Sequence, residues 1–434
     1  MNNETIAAQD LEVIWHPCTQ MKDHEFLPLT PIANANGIYL NDFEGNSYID
    51  AISSWWVNIF GHTNEYINEK IKEQLETLEH VILAGFTHQS IVTLSQRLVK
   101  ITPDGLQKCF YADNGSSAVE VALKMSYHAH KNQGREKSLF VSLKNSYHGE
   151  TIGALSVGDV ELYKETYEPL LIRSVQTPVP KDQSIEAAKE AAKGLEELFI
   201  EKNEEISALI LEPLVQGAGG MHMYHPHYLE LARDLCTKYN IHLIADEVLV
   251  GFGRTGYMFA CESANISPDF LVLSKGLTGG YLPLSVVLTT DEIYNVFYCD
   301  YGLNKAFLHS HSYTGNALAC SAANATLDIF ENEKTIEKNR VLIEYMNEKL
   351  QKFSSLENVK SIRQTGMIAA VELQNFDPKD RVGLKIHQYG LKNGVLIRPL
   401  GNIVYFMPPY IITCSEIDTM MDCAYNAIIS LKSD

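Results

Sequence analysis

The feature that most restricts the fold is an alternation running from about residue 64 to residue 330. Short apolar stretches at Cys109–Ala112, Leu139–Leu143, Ala208–Glu212, His242–Asp246, Phe270–Leu273 and Ser285–Leu288 read as strands. Between several of them lie amphipathic segments, Ser117–Lys131, Gln183–Lys202 and Tyr228–Tyr239, that read as helices. Strands apolar on both faces, alternating with helices, predict an α/β fold with a largely parallel sheet covered on both sides. At 434 residues the chain exceeds one small core, so more than one packed unit is expected.

The flanks differ in texture. GIYLNDFEGNSYIDAIS alternates around Glu44-Gly45-Asn46, which predicts a β-hairpin near the start. Beyond about residue 330 a charged helix over Asn332–Phe353 is expected, then strands in MIAAVEL, VLIRPL and NIVYFMPPY, then a terminal helix. These divide the chain into an N-terminal segment 1–63, a large domain 64–330 and a smaller α+β domain 331–434.

A formal charge of −19 argues against nucleic acid and anionic membrane surfaces, which would repel the chain. An anionic ligand would need local positive groups or a helix N-terminus. The eight cysteines form no CxxC pair, which suits reduced thiols rather than disulfides or a zinc site. MNNETIAAQDLEVIWHP lacks the basic and apolar regions of a secretory signal, and no apolar run is long enough to span a bilayer. The expectation is a soluble cytosolic protein.

Chemistry concentrates at the strand ends. In IHLIADEVLVGFGRTG, Asp246 closes an apolar strand, at the edge where parallel sheets bind ligands. In PDFLVLSKGLTGG, Lys275 closes the next one. A lysine amine that forms an imine, beside an acid that keeps a pyridine nitrogen protonated, suits pyridoxal phosphate. YADNGSSAVEVALKM offers Asp113 and Asn114 as caps and Gly115-Ser116-Ser117 opening a helix, a place for a phosphate. LFVSLKNSYHGET presents Tyr147-His148-Gly149 after a strand, where an aromatic ring can lie over a cofactor. Each feature alone has an ordinary structural explanation; four in this order are hard to assemble by accident.

Competing patterns are weaker. Gly251-Phe-Gly253-Arg-Thr-Gly256 matches a dinucleotide fingerprint, but YMFACESANISPDF is too short for the crossover helix that should follow. LIADE resembles a Walker-B strand, yet no GxxxxGK[ST] exists. His222, His225 and His227 fit no standard zinc spacing, so no metal is expected. His309 and His311 read as packing or hydrogen-bonding residues, and His128 and His130, on a helix, as surface or core filler. Trp55 and Trp56, taken as neighbours on an extended segment, should point to opposite sides.

GIYLNDFEGNSYID, ADNGSSAVEVALKM, NSYHGET, LILEPLVQGAGGM, LIADEVLVGFGRTG, SKGLTGG and SYTGNALAC together give the chain its likeness. Along nearly its whole length it resembles a class III, fold type I, pyridoxal-phosphate aminotransferase. WHPCTQM, Ser53-Ser54-Trp55-Trp56 and IRPLGNIVYFMPPY resemble the branch of that family that carries an amino group from S-adenosylmethionine to 8-amino-7-oxononanoate in biotin biosynthesis.

The resemblance implies a mostly parallel seven-stranded sheet in the large domain, and an N-terminal segment that joins the small domain and the active site. It makes Lys275 the Schiff-base lysine and proton shuttle, Asp246 the pyridinium partner, Tyr147 the stacking ring, and Gly115 and Ser116 the phosphate holders. Ser312, where the class usually has Thr, would reach the phosphate from a neighbouring subunit of a homodimer. Glu212 would belong to the site wall, and Arg398 would clamp the oxononanoate carboxylate. Trp55, Trp56, Tyr147, Gly315 and Tyr405 would line the substrate site. Cys18 stands where relatives carry a substrate-contacting Tyr, and Glu150 where they often have Asp. A synthase using lysine as donor, and an ω-aminotransferase for ornithine, GABA or diamines, are the neighbouring readings.

Overall fold

In the computed structural model, which describes residues 2–431, the chain divides into two units. Tyr66–Val341 with Gln364–Ile368 forms one; Met1–Glu65, Leu342–Arg363 and Ala369–Asp434 form the other.

The first unit is built on seven strands: β1 (Leu106–Ala112), β2 (Leu139–Leu143), β3 (Ser174–Thr177), β4 (Ile206–Leu211), β5 (His242–Asp246), β6 (Phe270–Leu273) and β7 (Ser285–Thr290). Their order across the sheet is β1-β7-β6-β5-β4-β2-β3. The pairs β6/β5, β5/β4, β4/β2 and β2/β3 are parallel, while β7 runs antiparallel to both β6 and β1. The reversal at β7 has a simple cause. Only residues 274–284 join β6 to β7, with a single short turn of 3-10 helix, and a parallel crossover needs a dozen residues or more.

Every residue of β2, β4 and β6 is buried, as expected of central strands in a sheet covered on both faces. Helix α1 (Gly115–Asn132) buries Ala118, Val119, Val121, Ala122 and Met125 against Ile210, Ile244, Phe270, Val272 and Val287 of the sheet. Helices α2 (Ile185–Lys202) and α3 (His227–Tyr239) pack on one another, and α4 (Ala317–Glu333) packs on the helix Gln89–Ile101.

In the second unit Ile32–Asn36, Tyr39–Asp42, Ser47–Asp50 and Val395–Leu396 make a four-stranded sheet. The expected hairpin pairs Tyr39 with Ile49 and Asn41 with Ser47. Asp42 pins its turn by accepting the N–H groups of Glu44 and Asn46 at 2.9 and 2.8 Å, with Gly45 at φ 87°. Ala369–Glu372 pairs antiparallel with Ile403–Phe406, and the terminal helix spans Cys414–Ser430.

Two expectations are corrected. The helix expected over Asn332–Phe353 is interrupted: α4 ends at Glu333, Lys334 turns left-handed at φ 52°, and a new helix runs Thr335–Leu350. In VLIRPL only Val395–Leu396 is strand, because Pro399 lacks an amide N–H and Gly401 turns at φ 57°.

Candidate active site

The parallel register sets Asp246 beside Val272, so the ends of β5 and β6 lie next to each other, with Lys275 just past the second. Lys275 has φ 46°, an unusual value for a residue with a side chain, held by the tight passage from β6 into the 3-10 turn. Burial pushes its amine down to about 8, against the opposing pull of Asp246 and Glu212 and with some help from Arg254.

Asp246 is buried, and each of its oxygens is engaged. Oδ1 accepts the N–H of Val248 at 3.1 Å, and Oδ2 lies 2.8 Å from Nδ1 of His148. His148 comes from the turn after β2, and its buried Nε2 has no hydrogen-bond partner among the described residues. Glu212, just past β4, accepts the N–H groups of Tyr147 and Gly217, each at 2.9 Å. Burial pushes Glu212 up to about 7, which the nearby His148 and those two N–H groups oppose.

Tyr147 is partly buried; its hydroxyl donates to Glu150 at 3.0 Å and its ring meets that of Tyr163 edge-on at 5.6 Å. Helix α1 begins beside this turn. Asn114 caps it by accepting the N–H of Ser117 at 2.9 Å, leaving the first N–H groups facing outward. Two glycines keep the backbone close here. A Cβ on Gly115 would lie 2.9 Å from Val248, and one on Gly149, at φ 121°, would lie 2.0 Å from Ser116 Oγ. Ser116 Oγ in turn accepts the N–H of Glu150 at 3.3 Å.

A cofactor with an aldehyde, a ring nitrogen that works best protonated, and a phosphate finds a matching group for each: a depressed amine, a buried carboxylate and a helix N-terminus. The donor set fits pyridoxal phosphate. Ser312 and Gly315 lie in the loop before α4. The Ser312 carbonyl is 2.7 Å from His80 Nε2, and that of Gly315 is 2.8 Å from His88 Nε2.

The remaining expected residues lie in the second unit and form two pairs. The guanidinium of Arg398 sits 5.3 Å from the ring centre of Trp55, and both side chains are exposed. Trp56 is 4% exposed, and its indole N–H donates to the hydroxyl of the buried Tyr405 at 3.1 Å.

The segment carrying the tryptophans is not extended as expected. Ser53, Ser54, Trp55 and Trp56 have φ of 52°, 46°, 71° and 75°, a left-handed turn built without glycine. Left-handed helix costs an L-residue roughly 1–2 kcal/mol. Neighbouring bonds offset it: Ser53 donates to Met407 O and Ser54 to Asp50, each at 2.7 Å. One tryptophan goes in and one goes out because of this turn, rather than by strand alternation.

Reading from the residues missed the contact of His148 with Asp246; the only signal was its place beside Tyr147 in NSYHGET. Asp50 and Ser54 were missed as well. Cys18 is exposed with φ 48°. Gly251–Gly256 forms turns, and the next element is the short 3-10 stretch Ala260–Ala264. His222 Nε2 lies 2.7 Å from Pro180 O, and His227 Nδ1 2.7 Å from Glu230.

The family model for class-III aminotransferases matches residues 20–428. The chain is 57% identical over 421 residues to the adenosylmethionine-8-amino-7-oxononanoate aminotransferase of Helicobacter pylori, covering 95% of each chain. The crystal structure of the enzyme of that name from Methanocaldococcus jannaschii superposes with TM-score 0.95 at 39% identity, covering 99% of both chains. An omega transaminase from Pseudomonas jessenii, solved in complex with PMP, superposes with TM-score 0.92 at 28% identity over 98% of this chain and 97% of its own. A match over nearly the whole length, on a sheet whose strand ends carry the amine and the carboxylate, identifies the chain as a member of the class III aminotransferases.

Proposed function

We propose that this chain transfers the amino group of S-adenosylmethionine to 8-amino-7-oxononanoate, giving 7,8-diaminononanoate for biotin biosynthesis. The observation that carries amino transfer is the pairing of a depressed lysine amine with a buried carboxylate at adjacent parallel strand ends. The substrates rest on the likeness to enzymes named for them. Class III aminotransferases use pyridoxal phosphate, which when bound supplies an electron sink for the pair left as the donor loses its Cα proton.

The chain's own groups divide the remaining work. Lys275 Nζ would hold the aldehyde and, once displaced from it by the donor's amine, would be free to carry the proton from the donor Cα, a task suited to an amine near 8. Asp246 keeps the ring nitrogen charged, oriented by His148 and Val248 N–H. Gly115 and Ser116 at the start of α1 would hold the phosphate, and Tyr147 would cover the ring. Glu212 fixes the Tyr147 backbone. Arg398 receives the carboxylate of the amino-group acceptor, with Trp55, Trp56 and Tyr405 forming the apolar surround. In domain terms, 64–330 would hold the cofactor, while 1–63 supplies Trp55 and Trp56 and 331–434 supplies Arg398 and Tyr405.

We also propose a homodimer. Tyr298, Tyr301, Leu303, Leu308 and Tyr313 are each at least 60% exposed in one stretch of chain, a concentration that favours a covering partner. Ser312 lies in that stretch and would serve the partner's phosphate site. Among the described residues no helix is long and apolar enough to cross a membrane. Among the described residues no disulfide joins any of the eight cysteines, which favours a reducing, cytoplasmic location.

The test is the absorption spectrum of purified, cofactor-loaded protein before and after adding S-adenosylmethionine alone. The expected result is loss of the visible band and growth of the near-ultraviolet band of the aminated cofactor, reversed by 8-amino-7-oxononanoate. A band that answers only to lysine or another amine would overturn the donor. Absence of any band after adding pyridoxal phosphate would overturn the whole reading.

A further inference from the structure

The left-handed turn at Ser53–Trp56 is held by a buried acid that touches none of the proposed substrate contacts. Asp50 closes the strand Ser47–Asp50 and is fully buried. Its Oδ2 accepts the hydroxyl of Ser54 at 2.7 Å and lies 3.0 Å from Nε2 of His62. Oδ1 faces the N–H of Ile52 at 3.4 Å. His62 is itself fixed. Its backbone exchanges both hydrogen bonds with Gly37, at 2.7 and 3.1 Å, and its Nδ1 lies 3.3 Å from the Asn58 amide.

The middle of the turn is therefore tied to one carboxylate whose position is set by a histidine and a strand end. Its flanks are tied by Ser53 to Met407 O and by Trp56 to Tyr405. Trp55 is the member left facing outward, 40% exposed, with the Arg398 guanidinium over its ring. An exposed arginine has many rotamers, and a fixed aromatic face beneath it removes most of them. Four consecutive L-residues do not adopt left-handed φ without such ties, so releasing Ser54 frees Trp55, and with it Arg398.

We propose that Asp50, Ser54 and His62 are positioning residues for the acceptor's carboxylate: they hold the left-handed turn that sets Trp55 under Arg398, and so set the preference for an acceptor that ends in a carboxylate. This rests on the reading of Arg398 as the carboxylate clamp.

The test compares 8-amino-7-oxononanoate with its methyl ester, which lacks the charge, as amino acceptors for the holoenzyme. The measured quantity is the acid-to-ester ratio of kcat/KM. Arg398→Ala should lower that ratio roughly ten- to hundredfold, the worth of a hydrogen-bonded charge pair. Ser54→Ala should lower it roughly two- to fivefold, the size of an exposed cation–π contact, by raising KM for the acid alone. In the Arg398→Ala background Ser54→Ala should change the ratio no further. Trp55→Phe should keep most of the ratio and Trp55→Ala should lose as much as Ser54→Ala.

A Ser54→Ala enzyme that loses acid and ester activity equally, or adds its effect on top of Arg398→Ala, overturns the positioning role while leaving the clamp intact. An Arg398→Ala enzyme that keeps its acid preference overturns the clamp itself, and the proposal with it. Should Ser54→Ala unfold, the Trp55→Phe and Trp55→Ala pair decides: equal ratios in the two would refute the platform.

Discussion

Nδ1 of His148 and Oδ2 of Asp246 face each other at 2.8 Å, both side chains buried, across 98 positions of sequence. Asp246 gains a fixed orientation from this contact. A carboxylate held on one oxygen by Val248 N–H alone could swing away from the ring nitrogen it is proposed to serve.

Removing His148 should therefore slow turnover without removing the cofactor. A hydrogen bond to a charged group contributes roughly 1.5–3 kcal/mol, so His148→Ala is expected to lower kcat about ten- to hundredfold. His148→Asn, whose amide can reach toward the same oxygen, should recover part of it. Steady-state kinetics on enzyme whose cofactor content has been measured reads the effect. Unchanged kcat in the alanine variant would show that Val248 alone suffices.

Lys275 yields a pH prediction whose sign follows from its cause. Burial disfavours the ammonium, so the amine is mostly uncharged above about 8 rather than above the ordinary lysine value. Only the uncharged amine attacks an aldehyde. Loading of pyridoxal phosphate into cofactor-free enzyme should speed up about tenfold per pH unit below 8 and level off above it. Free N-acetyl-lysine run alongside should keep accelerating toward pH 10. Stopped-flow absorbance supplies both curves, and coincident curves would show an unburied amine. Lys275→Ala should retain no turnover.

Gly149 packs directly against Ser116 at the start of α1. A Cβ there would lie 2.0 Å from Ser116 Oγ and 3.0 Å from its Cα, at a φ of 121° that alanine resists. Gly149→Ala must push Ser116 off the start of α1. Overpacking of this kind costs about 1–3 kcal/mol of stability, seen as a lower Tm. The proposed phosphate role adds a sharper expectation. Affinity should fall about tenfold for pyridoxal phosphate and barely at all for pyridoxal, by fluorescence titration. Equal losses for the two would remove Ser116 from the phosphate site.

Much of the sheet was legible because its central strands are largely apolar and end at or close to a charged residue: Lys144, Glu212, Asp246 and Lys275. The strand Ser174–Thr177 was not: SVQT is polar, short and at the edge, where only one neighbour is required. The adjacency of Asp246 and Lys275 could be read from consecutive apolar strands, whereas His148 reaches Asp246 through tertiary packing that no spacing announces. The turn at Ser53–Trp56 was illegible for a different reason. Left-handed backbone is normally signalled by glycine or asparagine, and here it is enforced by Asp50, Met407 and Tyr405 instead. Local propensity loses wherever distant partners supply the compensation.

The last prediction concerns stability at the edge of the sheet opposite the strand ends used by the site. His130 of α1 and His242 of β5 stack at 4.1 Å, 18° from parallel, and His242 Nδ1 lies 2.9 Å from Ser126 Oγ. Burial pushes His130 down to about 4, opposed by its hydrogen bond to Ser207 O and less by Asp269, and reinforced by Lys137 and Arg135; burial pushes His242 well below the ordinary value, reinforced by His130, Lys137, Arg233 and Arg135. Between about pH 6.5 and 4 the unfolded chain thus binds protons that the folded chain refuses. The stability of the pair is full above pH 6.5 and is lost as pH falls through that window, by up to about 1.4 kcal/mol per pH unit for each histidine. His130→Phe keeps a flat ring on His242 and deletes one titration. Its Tm should be lower than that of the parent at pH 7.5, because Ser207 O loses the shorter of its two side-chain hydrogen bonds and keeps only the 3.4 Å one from Ser126 Oγ, yet should decline less steeply between pH 6.5 and 4.5. Parallel declines would mean that carboxylates elsewhere, and not this pair, govern the acid limb.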